Sequence, residues 1–352
     1  MKLLILGGTR FLGRHLVTAA LARGHEVTLF NRGVHPAVDQ IGVETICGDR
    51  HSDLAQLKGR RWDAVVDTSG YLPRAVRAAA EILSHSVDRY VFISSVSAYA
   101  DVSVFGIDET APLATLTSEQ LEAANQIDSS VSASAGNYGK MYGGLKALCE
   151  QAAEAVMPNR VLIIRPGLII GPNDYTDRFT YWVQRVARAI EVREVLAPGR
   201  PARCVQLIDV RDLAGWTVRM IERKETGIYN ANGLPNNLTM EGLLEECKMV
   251  SDSDASFTWV SDEFLLQEKV APWSELPFWM PEEAASHFKG FMFINCEKAV
   301  GAGLSFRHLS DTIRDTLTWL EANRPNEELK AGLDRDKEQR LLRKWPPTRG
   351  TV

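Results

Sequence analysis

The sequence predicts an α/β fold, a doubly wound parallel sheet with helices on both faces, joined to a smaller C-terminal lobe. Three observations predict it. A glycine turn, Gly7-Gly8-Thr9-Arg10-Phe11-Leu12-Gly13, connects the apolar run Leu3-Leu4-Ile5-Leu6 to a helical stretch. Short apolar strands then alternate with helical segments through the first half of the chain. After Gly171-Pro172 that rhythm gives way to longer helical stretches.

The strands are expected at Leu3–Leu6, Val27–Phe30, Thr45–Cys47, Ala64–Val66, Tyr90–Ile93 and Val161–Ile164. Their apolar character suits a sheet buried on both faces. Leu16–Leu21, Arg74–Leu83 and Leu145–Ala155 carry helical periodicity between them. The Ser-, Thr- and Asp-rich stretch from Ala100 to Asn137 reads as a long loop with a short helix around Glu119–Ala124. Beyond it, Thr180–Ile190, Leu238–Val250 and Ser261–Gln267 are expected as helices, and Gln206–Asp209 and Gly227–Asn230 as strands returning to the main sheet or extending it. The tail Asp334–Trp345 reads as a charged surface helix ending at Pro346-Pro347. Residues 1–171 therefore form one domain, with returns within 203–232, and residues 172–352 form mainly the second lobe.

Composition narrows the functional classes. The 352 residues are 45% hydrophobic and 24% charged, an ordinary globular balance. A formal net charge of −5 gives no basic footprint and argues against a nucleic-acid partner. No apolar run reaches the ~18 residues of a membrane span, and the chain enters a strand directly after Met1-Lys2. No membrane association and a cytoplasmic location are expected. Cys47, Cys149, Cys204, Cys247 and Cys296 never fall in a Cys-x-x-Cys arrangement, so reduced thiols are expected and no metal site.

The glycine turn points to a ligand. A helix start offers unpaired N–H groups and the positive end of the macrodipole, and glycines admit a pyrophosphate close to the backbone. Gly7, Thr9, Arg10, Phe11, Leu12 and Gly13 are the expected contacts of a dinucleotide. At the end of the second strand, where a carboxylate would repel a 2′-phosphate, the chain carries Asn31-Arg32. Arg32, with Arg10 in the turn, offers a fork for that phosphate, so NADP(H) is favoured. NAD(H) is the alternative, with Arg32 a solvated turn residue. Asp49 and Arg50 close the third strand, Thr68, Ser69 and Gly70 the fourth, and Pro166 a later one; each is a candidate contact along the dinucleotide.

Tyr142 and Lys146 stand four residues apart, on one face of a helix. Bringing a phenol from pKa ~10 to ~7 takes roughly 4 kcal/mol of preferential phenolate stabilisation, within reach of two positive charges in a dry cleft. Such a tyrosine gives and takes a proton at neutral pH. The fifth strand delivers Ser94, Ser95 and Ser97 to the edge of the sheet where doubly wound folds hold ligands. Ser95 is the candidate for polarising a carbonyl beside the tyrosine.

Together these residues resemble the short-chain dehydrogenase/reductase superfamily, in its extended branch, the NAD-dependent epimerase/dehydratase family, with its Rossmann-type domain. The resemblance rests on Gly7 to Gly13, Gly48-Asp49, Ser94-Ser95 followed by Tyr99, Tyr142-Gly143 with Lys146 and Glu150, Arg165-Pro166-Gly167 with Gly171-Pro172, and Ile208-Asp209-Val210-Arg211-Asp212-Leu213-Ala214. It implies that Tyr142 is the general acid/base, that Lys146 lowers its pKa and binds the nicotinamide ribose, and that Ser95 orients the reacting oxygen. It also implies a homodimer and a small-molecule substrate.

Departures shape the expectation. Arg10 occupies the family's middle glycine, which looks like an atypical subgroup that includes chloroplast stem-loop RNA-binding proteins. Val96-Ser97 stand where the 4,6-dehydratases resemble one another in carrying Asp-Glu, so dehydration is not expected. Val205 takes the place of the diphosphate-binding arginine of nucleotide-sugar epimerases, with Arg203 two residues earlier. Ser97, Arg178, Tyr181 and Arg203 are the candidate substrate contacts; for Arg178 the alternative is a salt bridge to Asp174 or Asp177. Trp259, Trp273 and Trp279 are expected in core packing or a lid rather than stacked on a ligand. The reading is an NAD(P)-dependent oxidoreductase of a polar carbonyl or alcohol. A cofactor-retaining epimerase and a non-catalytic, RNA-associated nucleotide binder are the alternatives.

Overall fold

The computed structural model of the protein describes residues 1–34, 42–127, 135–189, 193–234, 238–283, 286–325 and 327–345. Residues 128–134 of the predicted long loop, Ile190, and Pro346-Pro347 lie outside the described residues. In chain order the strands are β1 (Lys2–Leu6), β2 (Glu26–Asn31), β3 (Val43–Cys47), β4 (Ala64–Asp67), β5 (Arg89–Ile93), β6 (Val161–Pro166), β7 (Leu168–Ile170), β8 (Glu194–Pro198), β9 (Leu207–Asp209), β10 (Gly227–Ala231) and β11 (Ser256–Val260). The helices are α1 (Phe11–Ala22), α2 (Pro73–Leu83), α3 (Ser118–Asn125), α4 (Ala135–Tyr138), α5 (Tyr142–Val156), α6 (Arg178–Ala187), α7 (Val210–Glu222), α8 (Met240–Ser251), α9 (Asp262–Gln267), α10 (Glu297–Gly301), α11 (Leu309–Asn323) and α12 (Arg335–Lys344).

The chain forms two compact units: Met1–Ile169, Leu207–Gly233 and Phe293–Phe306 make the first, and Ile170–Gln206, Leu234–Met292 and Arg307–Val352 the second. In the first, seven parallel strands run in the order β10-β6-β5-β4-β1-β2-β3. The alternation of side chains explains both covering layers. Leu3 and Ile5 of β1 pack with Leu16 and Val17 of α1 and Leu213 and Ala214 of α7. Leu4 and Leu6 face the other way, with Val76 and Ala79 of α2 and Cys149 and Ala153 of α5. The strand order turns back between β1 and β4, the point at which a doubly wound sheet opens a crevice at its carboxyl edge.

The predicted return strand Gly227–Asn230 is β10, paired to β6 at the sheet edge. The other predicted return differs: β9 pairs with β7 in a separate two-stranded ribbon. Three residues are too few to span the sheet, and Asp209 at once caps α7 by accepting from the Arg211 N–H. In the second unit, α6, α8 and α11 pack together and β8 pairs with β11. Arg185 is tied to Glu338, Arg324 to Asp177, and Trp182 donates to the Pro277 carbonyl.

One buried ion pair fastens three strands of the main sheet. Arg50, just past β3, meets both carboxylate oxygens of Asp67 at 2.8 Å, and the Tyr90 hydroxyl on β5 donates to the same carboxylate at 2.7 Å. The Arg50 guanidinium, with these bonds, holds the Asp67 carboxyl below the ordinary carboxylate range against the opposing effect of burial. A depressed carboxyl contributes its full stabilisation above the unfolded pKa of ~3.9 and loses it as pH falls through the folded value. Asp67→Asn is therefore expected to cost about 3–5 kcal/mol at neutral pH, because it strands a buried guanidinium. Urea unfolding at pH 7 and at pH 3 checks this: the gap between wild type and variant should narrow at the lower pH.

Candidate functional site

The glycine turn lies at the carboxyl end of β1, beside the end of β4. Gly7 has φ of +104°, and a Cβ there would stand 2.5 Å from the Thr68 Oγ1. Gly13 serves a different need: its Cβ would meet the Gly8 Cα at 2.6 Å, so only glycine lets α1 start this close to the turn. Arg10 occupies the N-cap of α1 without a side-chain cap hydrogen bond, and Phe11 takes a positive φ of 29°. Thr9 lies in the turn, and Leu12 is buried in the first turn of the helix. At the end of β2, the Asn31 Oδ1 accepts from the Gly33 N–H at 2.9 Å, while its Nδ2 is buried with no hydrogen-bond partner. Arg32 follows, half-buried.

The segment after β4 closes this edge. The Thr68 and Ser69 hydroxyls donate to the Leu6 carbonyl at 2.9 and 3.2 Å, and Ser69 also accepts from Arg50. The Gly70 carbonyl accepts from the Lys146 Nζ at 2.9 Å, and the Ile93 carbonyl at the end of β5 accepts from it at 2.7 Å. That ammonium lies between two rings, 4.6 Å from the centre of Phe92 and 5.1 Å from that of Tyr71. Burial pushes its pKa down to about 8. Tyr71 also stacks on Tyr138, with centroids 5.7 Å apart, and leans on Tyr142 at 6.3 Å. The structure thus brings Tyr142 and Lys146 together around one ring. The sequence reading passed over Tyr71, although it directly follows the Thr68-Ser69-Gly70 run.

The position of α5 against the serine turn has a local cause. Gly143 follows Tyr142, and a Cβ on it would lie 2.0 Å from the Ser97 carbonyl oxygen. Without one, the helix start packs on the turn 96–98. Ser95 caps that turn, its Oγ accepting from the Ser97 N–H at 3.1 Å. Ser94 points inward instead and donates to Glu150, which takes both forks of Arg165 at 2.9 and 2.6 Å. Arg165 in turn lies over the ring of Tyr99, whose hydroxyl donates to Asn230 on β10. Pro166 ends β6 in this buried layer.

Two expected ligand contacts, Arg50 toward the cofactor and Ser94 at the sheet edge, therefore have other engagements. The Arg50 guanidinium is committed to Asp67, and the Ser94 hydroxyl to Glu150. Asp49 accepts from the His51 N–H at 2.8 Å, the turn chemistry of a short acidic side chain.

The remaining candidates belong to the second unit. Arg203 is held by Asp262 at 2.7 Å and by the Met280 carbonyl at 2.9 Å, so its charge is neutralised where it stands. Trp259 and Trp345 line a cavity of about 350 Å³ beside that pair. Tyr181 is buried against Gly332, and burial raises its phenol far from any neutral-pH role. Trp279 is core, as expected. Neither salt bridge considered for Arg178 forms: Asp177 accepts from Arg324 and the Lys330 N–H, and Asp174 accepts from the Thr176 N–H and hydroxyl. The Arg178 guanidinium lies 5.3 Å from the centre of the Trp273 ring.

No described helix is long and apolar enough to cross a membrane. A curated relative, the chloroplast stem-loop binding protein of 41 kDa b from Arabidopsis thaliana, is 25% identical over 70% of this chain and 62% of its own length. A second, 2-alkyl-3-oxoalkanoate reductase from Stenotrophomonas maltophilia (strain K279a), is 29% identical over 49% of this chain and 52% of its own. The chain thus spans less than two thirds of the curated relatives it matches. Among solved structures, UDP-glucuronic acid 4-epimerase from Bacillus cereus in complex with NAD superposes with a TM-score of 0.64, covering 94% of this chain and 100% of that one at 15% identity, a likeness of fold. The sequence profile of the NAD dependent epimerase/dehydratase family matches residues 3–231, across the glycine turn, the serine turn and the Tyr142–Lys146 helix, and the chain belongs to that family.

Proposed function

We propose that the protein is a nicotinamide-dinucleotide-dependent oxidoreductase of a small polar carbonyl or alcohol, with Tyr142 as the group that moves the proton. The observation that carries this reading is the packing of Tyr142 and Lys146 around Tyr71, on a helix seated against the turn that Ser95 caps. The residues of the glycine turn fit a dinucleotide. The Asn31 Nδ2 is a buried donor lacking an acceptor, and the start of α1 has no side-chain cap.

When bound, the dinucleotide supplies hydride acceptance and donation at its nicotinamide ring. Gly7, Thr9, Arg10, Phe11, Leu12 and Gly13 would hold its pyrophosphate, and Asn31 and Arg32 its adenosine ribose. Thr68, Ser69, Gly70 and Pro166 would border its path, with Asp49 toward the adenine. Arg50 and Ser94 would serve through Asp67 and Glu150, as scaffold. Lys146 has three N–H groups, two of which are given to the Gly70 and Ile93 carbonyls. The third is left for a ribose hydroxyl. Ser95 would hydrogen-bond the reacting oxygen, and the Tyr142 hydroxyl would give it a proton in reduction or take one in oxidation.

An epimerase, which oxidises and re-reduces one substrate on retained dinucleotide, uses the same groups, and family membership favours it as the second reading. Dinucleotide that copurifies and is never consumed would support it; steady consumption of added NADPH supports net redox. The Arabidopsis relative named for stem-loop binding favours a third reading, RNA association. A salt-dependent mobility shift of RNA that Tyr142→Phe leaves unaltered would support that one.

Two outcomes are expected. Tyr142→Phe should lower turnover by about 10²–10⁴-fold against a panel of polar carbonyls while dinucleotide affinity stays nearly unchanged, read by NAD(P)H oxidation and by fluorescence titration. Equal activity of the variant would sink the proton-transfer role. Arg32→Ala should weaken NADPH about tenfold and leave NADH alone, as loss of a charged phosphate contact predicts. Equal effects on both dinucleotides would place Arg32 away from the 2′-phosphate and favour NAD.

A further inference from the structure

Among the described residues, three sequestered arginines of the second unit are matched to carboxylates and Arg178 is not. Arg185 is paired with Glu338, Arg203 with Asp262, and Arg324 with Asp177. Arg178, half-buried at the start of α6, makes neither a hydrogen bond nor an ion pair among the described residues. Burial draws its pKa down, the direction for a cation short of compensating charge. Its acidic neighbours are occupied: Asp177 serves Arg324, and the buried Asp174 carboxyl, turned to Thr176, is pushed up to about 6.

The platform under Arg178 is built. Trp273 is braced edge-on by Phe278 at 6.5 Å and by Phe291 at 6.2 Å. Trp273 and Phe278 both have φ of +68°, a backbone region that bulky side chains avoid and that persists only when the surroundings impose it. A guanidinium held over the face of an indole is attracted by the ring and still has N–H donors to offer. Those donors match the two oxygens of a carboxylate or a phosphate.

We propose that Arg178, seated on Trp273, is the anchor of an oxyanion-binding site within the second unit, one that takes a small ligand carrying a carboxylate or phosphate group. The site stands independently of the oxidoreductase reading. The test needs neither dinucleotide nor turnover. The full chain is titrated calorimetrically at low ionic strength with inorganic phosphate, with malonate, and with glucose as a neutral control. The wild type is expected to bind at least one anion saturably and glucose not at all, with the tighter anion naming the group. Arg178→Gln should weaken that binding by about tenfold or more, the worth of a charged hydrogen-bonded contact. Failure of both anions to saturate the wild type, or equal affinity in Arg178→Gln, would overturn the proposal. Should that variant not fold, Arg178→Lys decides: keeping the charge without the planar fork should cost several-fold, and unchanged affinity would overturn it. Tyr142→Phe should bind the anion normally whatever its turnover, so the two readings can fail separately.

Discussion

Burying the Lys146 ammonium requires acceptors for its protons, and the chain supplies them from the main chain at the ends of two neighbouring strands. The Gly70 and Ile93 carbonyls, which a continuing sheet would have paired, receive those protons from α5 instead. Helix and strand ends are thereby fixed to one another at a single atom, and the rings of Phe92 and Tyr71 exclude water around it. Whatever Tyr142 does, its position one helical turn away is set by that anchorage.

Charge inside this unit follows a consistent pattern. Asp67 with Arg50, and Glu150 with Arg165, are bidentate pairs whose carboxylates also accept from Tyr90, Ser69 and Ser94. Each pair joins segments that the sheet's backbone bonds do not join: the end of β3 to β4, and α5 to β6. Buried pairs of this kind add little net stability over apolar packing but are costly to half-remove, which makes them register marks more than glue.

How far the sequence was legible depended on the range of the physics involved. The strand pattern and the glycine turn are local, and β1, β2 and β4 to β6 fall where apolar periodicity puts them. The short helix at Glu119–Ala124 carries its own signal, Thr117 and Gln120 forming a capping box. β8 and β11 went unread because they pair with each other outside the main sheet, away from the strand–helix rhythm that marks its members. At the site, residue types announced Tyr142 and Lys146, yet nothing local revealed that Arg50 and Arg203 would be claimed by Asp67 and Asp262. Those carboxylates stand 17 and 59 residues away in the chain. Tyr71 escaped for the same reason: a ring's role as a wall shows only when the lysine it covers is in place.

The first unit is not one stretch of chain, and this bears on how the molecule is made. Its edge strand β10 joins β6 only after residues 170–206 have been synthesised. The helix α10, whose Lys298 donates to the Ile228 carbonyl of that strand, lies in a third piece ending at Phe306. On a ribosome adding roughly 5–20 residues each second, six strands could assemble early while one flank of the sheet stays bare. An unpaired flank of that kind invites other chains. The nascent protein therefore passes through an interval in which the free edge of β6 awaits a strand still to be made.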